Sequence, residues 1–214
     1  KDAGIKVYIG HSATYLRGAD LLVYSAAIPK DNVELLEAKA AKIKMISRAE
    51  ALAWIMGQSK IRIGVAGTHG KTTTTSMIAH LLTRLNFDPT YLVGGEANDV
   101  DGNAHLGETS LCVAEADESD GSFLKLKPTI AVITNIEADH MEFFGNIETV
   151  INFFAKYAES LPEDGTLIIG DGIGSRRLLE GIRKDIKYIS YGINDNGDLR
   201  AVNPTFKEGR SRFE

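Results

Sequence analysis

Residues 61–76, IRIGVAGTHGKTTTTS, decide how this chain is read. Five of the first six residues are apolar or glycine, the composition of a strand buried on both faces. Gly67-Thr68-His69-Gly70 interrupts that run. Beyond Lys71 the apolar residues Met77, Ile78, Leu81, Leu82 and Leu85 recur at helical spacing. A strand, a glycine turn, Lys-Thr and a helix, in that order, predict a loop for the phosphates of a nucleoside triphosphate. Glycines let backbone N–H groups close around phosphate oxygens, and the positive end of the helix faces them. Lys71 supplies a cation for the β- and γ-phosphates, and the Thr72 hydroxyl is a ligand for Mg²⁺. Val65 stands where the common pattern has its first glycine, so Gly67 supplies the turn. The competing reading is an ordinary strand-to-helix connection with an incidental Gly-Lys-Thr; the order of elements favours the phosphate loop.

Working outward, strands and helices alternate. Short apolar strands are predicted at 5–9, 21–24 and 43–46. Helices are predicted over 33–41, capped by Asp31 or Asn32, and over 47–56, where Ser47 and Glu50 form a capping box. Residues 57–60 read as a linker. Downstream, the helix runs to about residue 86, followed by a strand at 91–93, the pair Gly94-Gly95, and a polar loop at 96–109. Buried strands follow at 111–114 and 129–134, then a helix over 147–160, a strand at 167–169, a short helix at 176–181 and a strand at 187–191. This alternation predicts a parallel sheet with sites at the carboxyl ends of its strands.

The 214 residues suffice for one or two domains with a real core. With 43% hydrophobic and 25% charged residues the composition is globular. A net charge of -5 with no basic run argues against nucleic acid as the main partner. The single Cys112 cannot form an internal disulfide, which fits a reducing compartment. No apolar run approaches the roughly 20 residues of a membrane span, and no signal peptide is visible. The chain opens at Lys1 without a methionine and stops at Glu214 with no closing element, and is expected to be a piece of a longer protein.

Two strands after the lysine end in polar clusters that a parallel sheet aligns with the phosphate loop. The first is Glu115-Ala116-Asp117-Glu118-Ser119-Asp120. Four acids so close together repel one another and favour a cation; Glu115, directly after its strand, is placed for Mg²⁺. Spacing leaves open which of Glu115, Asp117, Glu118 and Asp120 binds first. The second cluster runs from Asn135 to His140. His140 is either a metal ligand or a capping residue, His69 either a phosphate-loop ligand or a solvent-facing turn residue, and Asn135 either holds the loop or touches substrate.

Three motifs, GTHGKTTTT, EADESDGSF and TNIEADHMEFF, resemble in order and spacing those of the Mur ligases, ATP-dependent amino-acid ligases of bacterial cell-wall precursor synthesis. Histidine after Gly-Thr in the loop and Ser119 after EADE bring the resemblance closest to members that join L-alanine to UDP-N-acetylmuramate. The likeness covers nearly the whole chain. It implies an α/β fold in two parts: residues 1–58, the C-terminal part of a Rossmann-like UDP-substrate domain, and residues 59–214, a P-loop-type central domain with a parallel sheet that binds ATP, incomplete at its C-terminal end. It also implies phosphate contacts from Gly67, Thr68, His69, Gly70, Lys71, Thr72 and Thr73, and a nucleotide contact from Asn135. Catalytic roles would fall to Lys71, Glu115 and His140, with Mg²⁺ on Thr72 and Glu115 and a second ion on His140. The partners implied are UDP-N-acetylmuramate and L-alanine in the bacterial cytoplasm, with no membrane or nucleic acid. The resemblance departs in several places, one of them inside the chain at the carbamoylated lysine of many relatives, which falls at about Phe154, with Lys156 two residues away. Two rivals stand beside this reading, a ligase that attaches a recycled peptide to the same sugar nucleotide and a non-catalytic nucleotide-binding module.

Overall fold

The computed structural model describes residues 4–95, 102–193 and 197–214. The chain divides into two compact units, Lys1–Leu52 and Ala53–Glu214. In the first, β1 (Leu21–Tyr24) pairs in parallel with β2 (Lys44–Ser47), joined through α1 (Val33–Ala40). Asn32 caps α1 by accepting from the Glu34 amide. Ser47 and Glu50 form the expected capping box at the start of α2 (Arg48–Met56): the Ser47 amide donates to Glu50 and the Glu50 amide to the Ser47 hydroxyl. The strand expected at 5–9 does not form. Among the described residues no strand pairs with this run, and without a ladder partner an extended run has no backbone bonds to hold it. Tyr8 instead stacks on Tyr15, next to a 3₁₀ turn at Ala13–Leu16.

The second unit is built on β3 (Ile61–Ala66), which leads into α3 (Lys71–Arg84), β4 (Thr90–Leu92), β5 (Ala104–His105) and β6 (Leu111–Glu115). After β7 (Ile130–Ile133) come α4 (Met141–Phe144), α5 (Ile147–Glu159), β8 (Thr166–Gly170), α6 (Ile173–Gly181), β9 (Lys187–Gly192) and β10 (Leu199–Arg200). Together they form one sheet in the order β10-β9-β8-β7-β3-β6-β4-β5, parallel except for the β4–β5 pair. A separate hairpin joins β11 (Thr205–Lys207) and β12 (Arg210–Arg212). The loop expected over 96–109 lies partly outside the described residues, at 96–101; its remainder contains β5. None of the sequence patterns marked β5, α4, β10 or the hairpin, all of them four residues or shorter.

Both faces of the central strand are covered, as its apolar composition requires. Ile63 and Val65 pack with Val113, Val132, Tyr91 and Ala79, the last from α3. On the other parity Gly64 lies under the Tyr157 ring of α5. Phe123 packs against both this tyrosine and Phe154, with ring centroids 5.0 and 5.4 Å away. The apolar face expected of α3 is only partly the buried one. Met77, Leu81 and Leu85 are exposed, whereas Thr75, Ser76 and Ala79 are buried, with Ile78 and Leu82 beside the core. Thr75 and Ser76 can face inward because their hydroxyls donate to the Lys71 and Thr72 carbonyls at 2.8 Å each. Among the described residues no helix is long and apolar enough to cross a membrane.

The Gly64–Tyr157 contact yields a direct test of this packing. A Cβ at position 64 would run into the Tyr157 hydroxyl, which is buried without a hydrogen-bond partner among the described residues, while the ring carbon behind it would stand at 3.4 Å, ordinary contact. Gly64→Ala should therefore cost about 1–3 kcal/mol from overpacking. Tyr157→Phe, which removes an unsatisfied hydroxyl, should be close to neutral. In urea unfolding the double variant should recover most of the Gly64→Ala loss; simple addition of the two single effects would contradict the contact.

Candidate active site

In register, Val65 lies opposite Glu115 and Ala66 opposite Ile133, so β3, β6 and β7 deliver their carboxyl ends to one edge of the sheet. The sheet order turns about β3: β6 and β4 lie on one side, β7 to β10 on the other. That crevice is where open α/β sheets bind ligands.

The turn after β3 requires glycine twice. Gly67 has φ 137° and Gly70 φ 80°, both in the region other residues avoid. A side chain on Gly67 would also collide with the Thr134 hydroxyl and stand 3.0 Å from the Thr134 amide. The segment leaving β7 holds this turn in place. Thr68 donates its amide to the Asn135 carbonyl at 3.1 Å, and the Thr68 hydroxyl accepts the Glu137 amide at 2.9 Å. The Asn135 side chain accepts the His69 amide and donates to the His69 carbonyl, both at 3.0 Å. Thr134 adds a hydroxyl bond to that same carbonyl at 2.6 Å. Through these bonds Asn135 holds the loop. The His69 ring faces solvent, 3.9 Å from the exposed Glu137 carboxylate. Thr134 and Glu137 were missed from sequence; their position at the end of β7 was the available signal.

Lys71 opens α3, and its side chain folds back across the turn. The ammonium donates to the Gly67 carbonyl at 2.8 Å, the Thr68 carbonyl at 3.2 Å and the Glu118 carboxylate at 2.9 Å. Glu118 is 2% exposed; burial pushes its carboxyl above the ordinary value, and the Lys71 hydrogen bond opposes that shift. The next residue, Thr72, donates its hydroxyl to Glu115 at 3.2 Å, and the Gly94 amide donates to the other Glu115 oxygen at 2.8 Å. Gly94 permits this approach, since a Cβ there would stand 2.7 Å from the carboxylate.

The acids of EADESD thus have separate surroundings. Glu115 meets Thr72 and Gly94, and Glu118 meets Lys71. Asp117 and Asp120 accept the amides of Ser119 and Ser122, at 3.1 and 2.9 Å, as local turn bonds. Thr72 and Glu115 bring two hard oxygen donors together, the chemistry that Mg²⁺ selects. His140 sits elsewhere in the hydrogen-bond network. It occupies the N-cap of α4 with φ 51°, donates its backbone amide to the Asp139 carboxylate at 2.8 Å, and has its ring 3.6 Å from Glu142. Among the described residues no group of three His, Cys, Asp or Glu side chains converges as a metal site. At the position of the relatives' modified lysine, Phe154 is fully buried, and the Lys156 ammonium lies 5.3 Å from the centre of the Phe153 ring.

Comparison with known proteins places these features in a family. Residues 65–214 match the Mur ligase middle domain, and residues 1–60 match the Mur ligase family, catalytic domain. A UDP-N-acetylmuramate–L-alanine ligase of Clostridium novyi is 45% identical over 212 residues, covering 99% of this chain and 46% of the relative. One from Rubrobacter xylanophilus is 52% identical over 200 residues, covering 93% of this chain and 44% of the relative. The chain therefore spans less than half the length of these relatives. The crystal structure of a UDP-N-acetylmuramate–alanine ligase from Thermotoga maritima superimposes with a TM-score of 0.84 at 26% identity, over 99% of this chain and 47% of that one. A UDP-N-acetylmuramate:L-alanyl-γ-D-glutamyl-meso-diaminopimelate ligase from Neisseria meningitides shares the fold, with a TM-score of 0.83 at 24% identity over 98% and 72%.

The loop geometry predicts the outcome of changing Gly67. Gly67→Ala should weaken binding of inorganic triphosphate with Mg²⁺ at least about tenfold, and destabilise the protein by roughly 1–3 kcal/mol through backbone strain. Adding Thr134→Ala removes the hydroxyl clash but neither the φ requirement nor the close Thr134 amide, so it should not restore binding. Calorimetric titration together with thermal unfolding measures both effects, and full rescue by the double variant would contradict the backbone argument.

Proposed function

The chain belongs to the Mur ligase family, and from that membership we propose that it carries the ATP site of an enzyme joining L-alanine to the lactyl carboxylate of UDP-N-acetylmuramate. The observation that carries this reading is the glycine turn after β3, with Lys71 folded over it and Thr72 beside Glu115. The names of relatives at 45% and 52% identity support L-alanine over a recycled peptide as the group added. On this reading residues 1–58 belong to the UDP-substrate domain and residues 59–214 to the ATP-binding domain, and the reaction takes place in the bacterial cytoplasm.

The chemistry proceeds in two displacements. The substrate carboxylate attacks the γ-phosphorus of ATP, forming an acyl phosphate and releasing ADP. The amine of L-alanine then attacks the acyl carbon through a tetrahedral intermediate, and phosphate leaves as the amide forms. Lys71, Thr72 and Thr73 present the first backbone N–H groups of α3, where the helix dipole favours anions, while Gly67, Thr68, His69 and Gly70 shape the turn beneath the phosphates, the Thr68 and His69 amides being taken up by Asn135. Lys71 places a positive charge where negative charge spreads over the transferring phosphoryl group. Asn135 serves the nucleotide indirectly by fixing the His69 backbone. Mg²⁺, held by Thr72 and Glu115, would neutralise phosphate charge, and His140 is assigned to a second ion.

The assay is phosphate release by the full-length protein supplied with ATP, Mg²⁺, UDP-N-acetylmuramate and one amino acid at a time. Release should depend on L-alanine; dependence on a peptide in its place would favour the recycling ligase, and no release with any acceptor would favour the non-catalytic module. Lys71→Ala should lower turnover on the order of 10²-fold or more in protein that still folds, with a lower melting temperature. Glu115→Gln and His140→Ala should each raise the Mg²⁺ concentration needed for half-maximal rate while leaving the melting temperature little changed. Unfolding of either variant, with normal Mg²⁺ dependence in its folded fraction, would make that residue structural.

A further inference from the structure

An ammonium has three hydrogens, and all three on Lys71 are in use: on the Gly67 carbonyl, the Thr68 carbonyl and Glu118. For Lys71 to meet a phosphate oxygen, one of these bonds must be exchanged. The three are not equivalent. The Thr68 bond is the longest, at 3.2 Å, and its acceptor is a neutral carbonyl. Glu118 is a carboxylate 2% exposed, and its second oxygen, Oε2, is buried with no hydrogen-bond partner among the described residues. Withdrawing Lys71 from it would strand a charge in a site where water does not reach, the most costly way to break a buried pair.

We propose that Glu118 is a positioning residue for Lys71, remaining bonded to the ammonium throughout the reaction while the Thr68 carbonyl gives way to the phosphate. Glu118 thereby joins the ATP site without touching nucleotide or metal. Its carboxylate bonds to neither Thr72 nor Glu115, which have each other. The buried acid fixes where the lysine's charge stands, and the Gly67 carbonyl fixes it from the loop side, so the ammonium is not free to swing into solvent when the phosphates arrive. This assignment rests on the phosphate role of Lys71 proposed above.

Two measurements on the full-length protein test it. The first needs no activity. In thermal unfolding, Lys71→Met and Glu118→Met should each lower the melting temperature, because each leaves one buried charge alone, and the double variant should recover part of the loss. Strict additivity would overturn the pairing. The second uses the steady-state rate. Glu118→Met fills the same space without an acceptor and should lower kcat on the order of 10²-fold, as misplacement of a catalytic group by about 1 Å does, with KM for ATP changing far less. Glu118→Gln, which keeps an acceptor at the same reach, should recover most of that loss. Parental kcat in the Met variant, equal losses in Met and Gln, or tighter ATP binding with undiminished kcat would each overturn the proposal, the last by showing that Glu118 restrains the lysine. None of these outcomes touches the ligase reading, which fails separately if the parent protein shows no ATP-dependent amide formation.

Discussion

The turn that follows β3 owes its shape to the segment that leaves β7. A loop rich in glycine has many accessible backbone states, and ordering it costs entropy that local contacts alone do not recover. Here Thr68 and His69 exchange bonds with Thr134, Asn135 and Glu137, and Gly67 brings its backbone against Thr134 where no side chain would fit. This stitching depends on β3 and β7 being neighbours in register, which in turn depends on both faces of β3 being covered. The sheet is therefore the reason that the turn before α3 is held in one shape by its own hydrogen bonds.

Charge is organised by the same edge. The EADESD segment carries four acids, but they do not share one environment. Glu115 leaves β6 at the level of Val65 and reaches Thr72, whereas Glu118, three residues on, enters the protein and meets Lys71. The separation leaves one carboxylate beside the Thr72 hydroxyl and assigns the other to the lysine. A single cluster of four like charges would have done neither.

The glycine turn, the parallel sheet and the main helices were legible in residues 61–76 and in the alternation around them because they rest on local rules: glycine turns, apolar runs, and caps such as Ser47–Glu50. What was not legible rests on tertiary context. Nothing in the spacing of EADESD distinguishes Glu118 from Asp117, since the difference is which side chain the fold buries. The apolar residues of α3 obey helical spacing, yet Met77, Leu81 and Leu85 are exposed, because small residues let the helix lie close to the sheet and their hydroxyls find carbonyls within the helix. The run at 5–9 had strand composition but, among the described residues, no neighbour to pair with. His140 followed its strand as expected, and the backbone placed it at a helix cap.

The burial of Glu118 has a consequence for how the protein responds to ionic strength. Mobile ions screen charges they can surround, over a Debye length of about 8 Å at physiological salt, and have little access to a pair enclosed by protein. The ion pairs of Arg177 with Glu148 and of Arg183 with Asp185 stand in solvent and will fade as salt rises. The Lys71–Glu118 pair will not. Salt thus separates the surface electrostatics of this chain from those of the turn before α3, where the ammonium is held in a crowded, ion-rich solution as it is in dilute buffer.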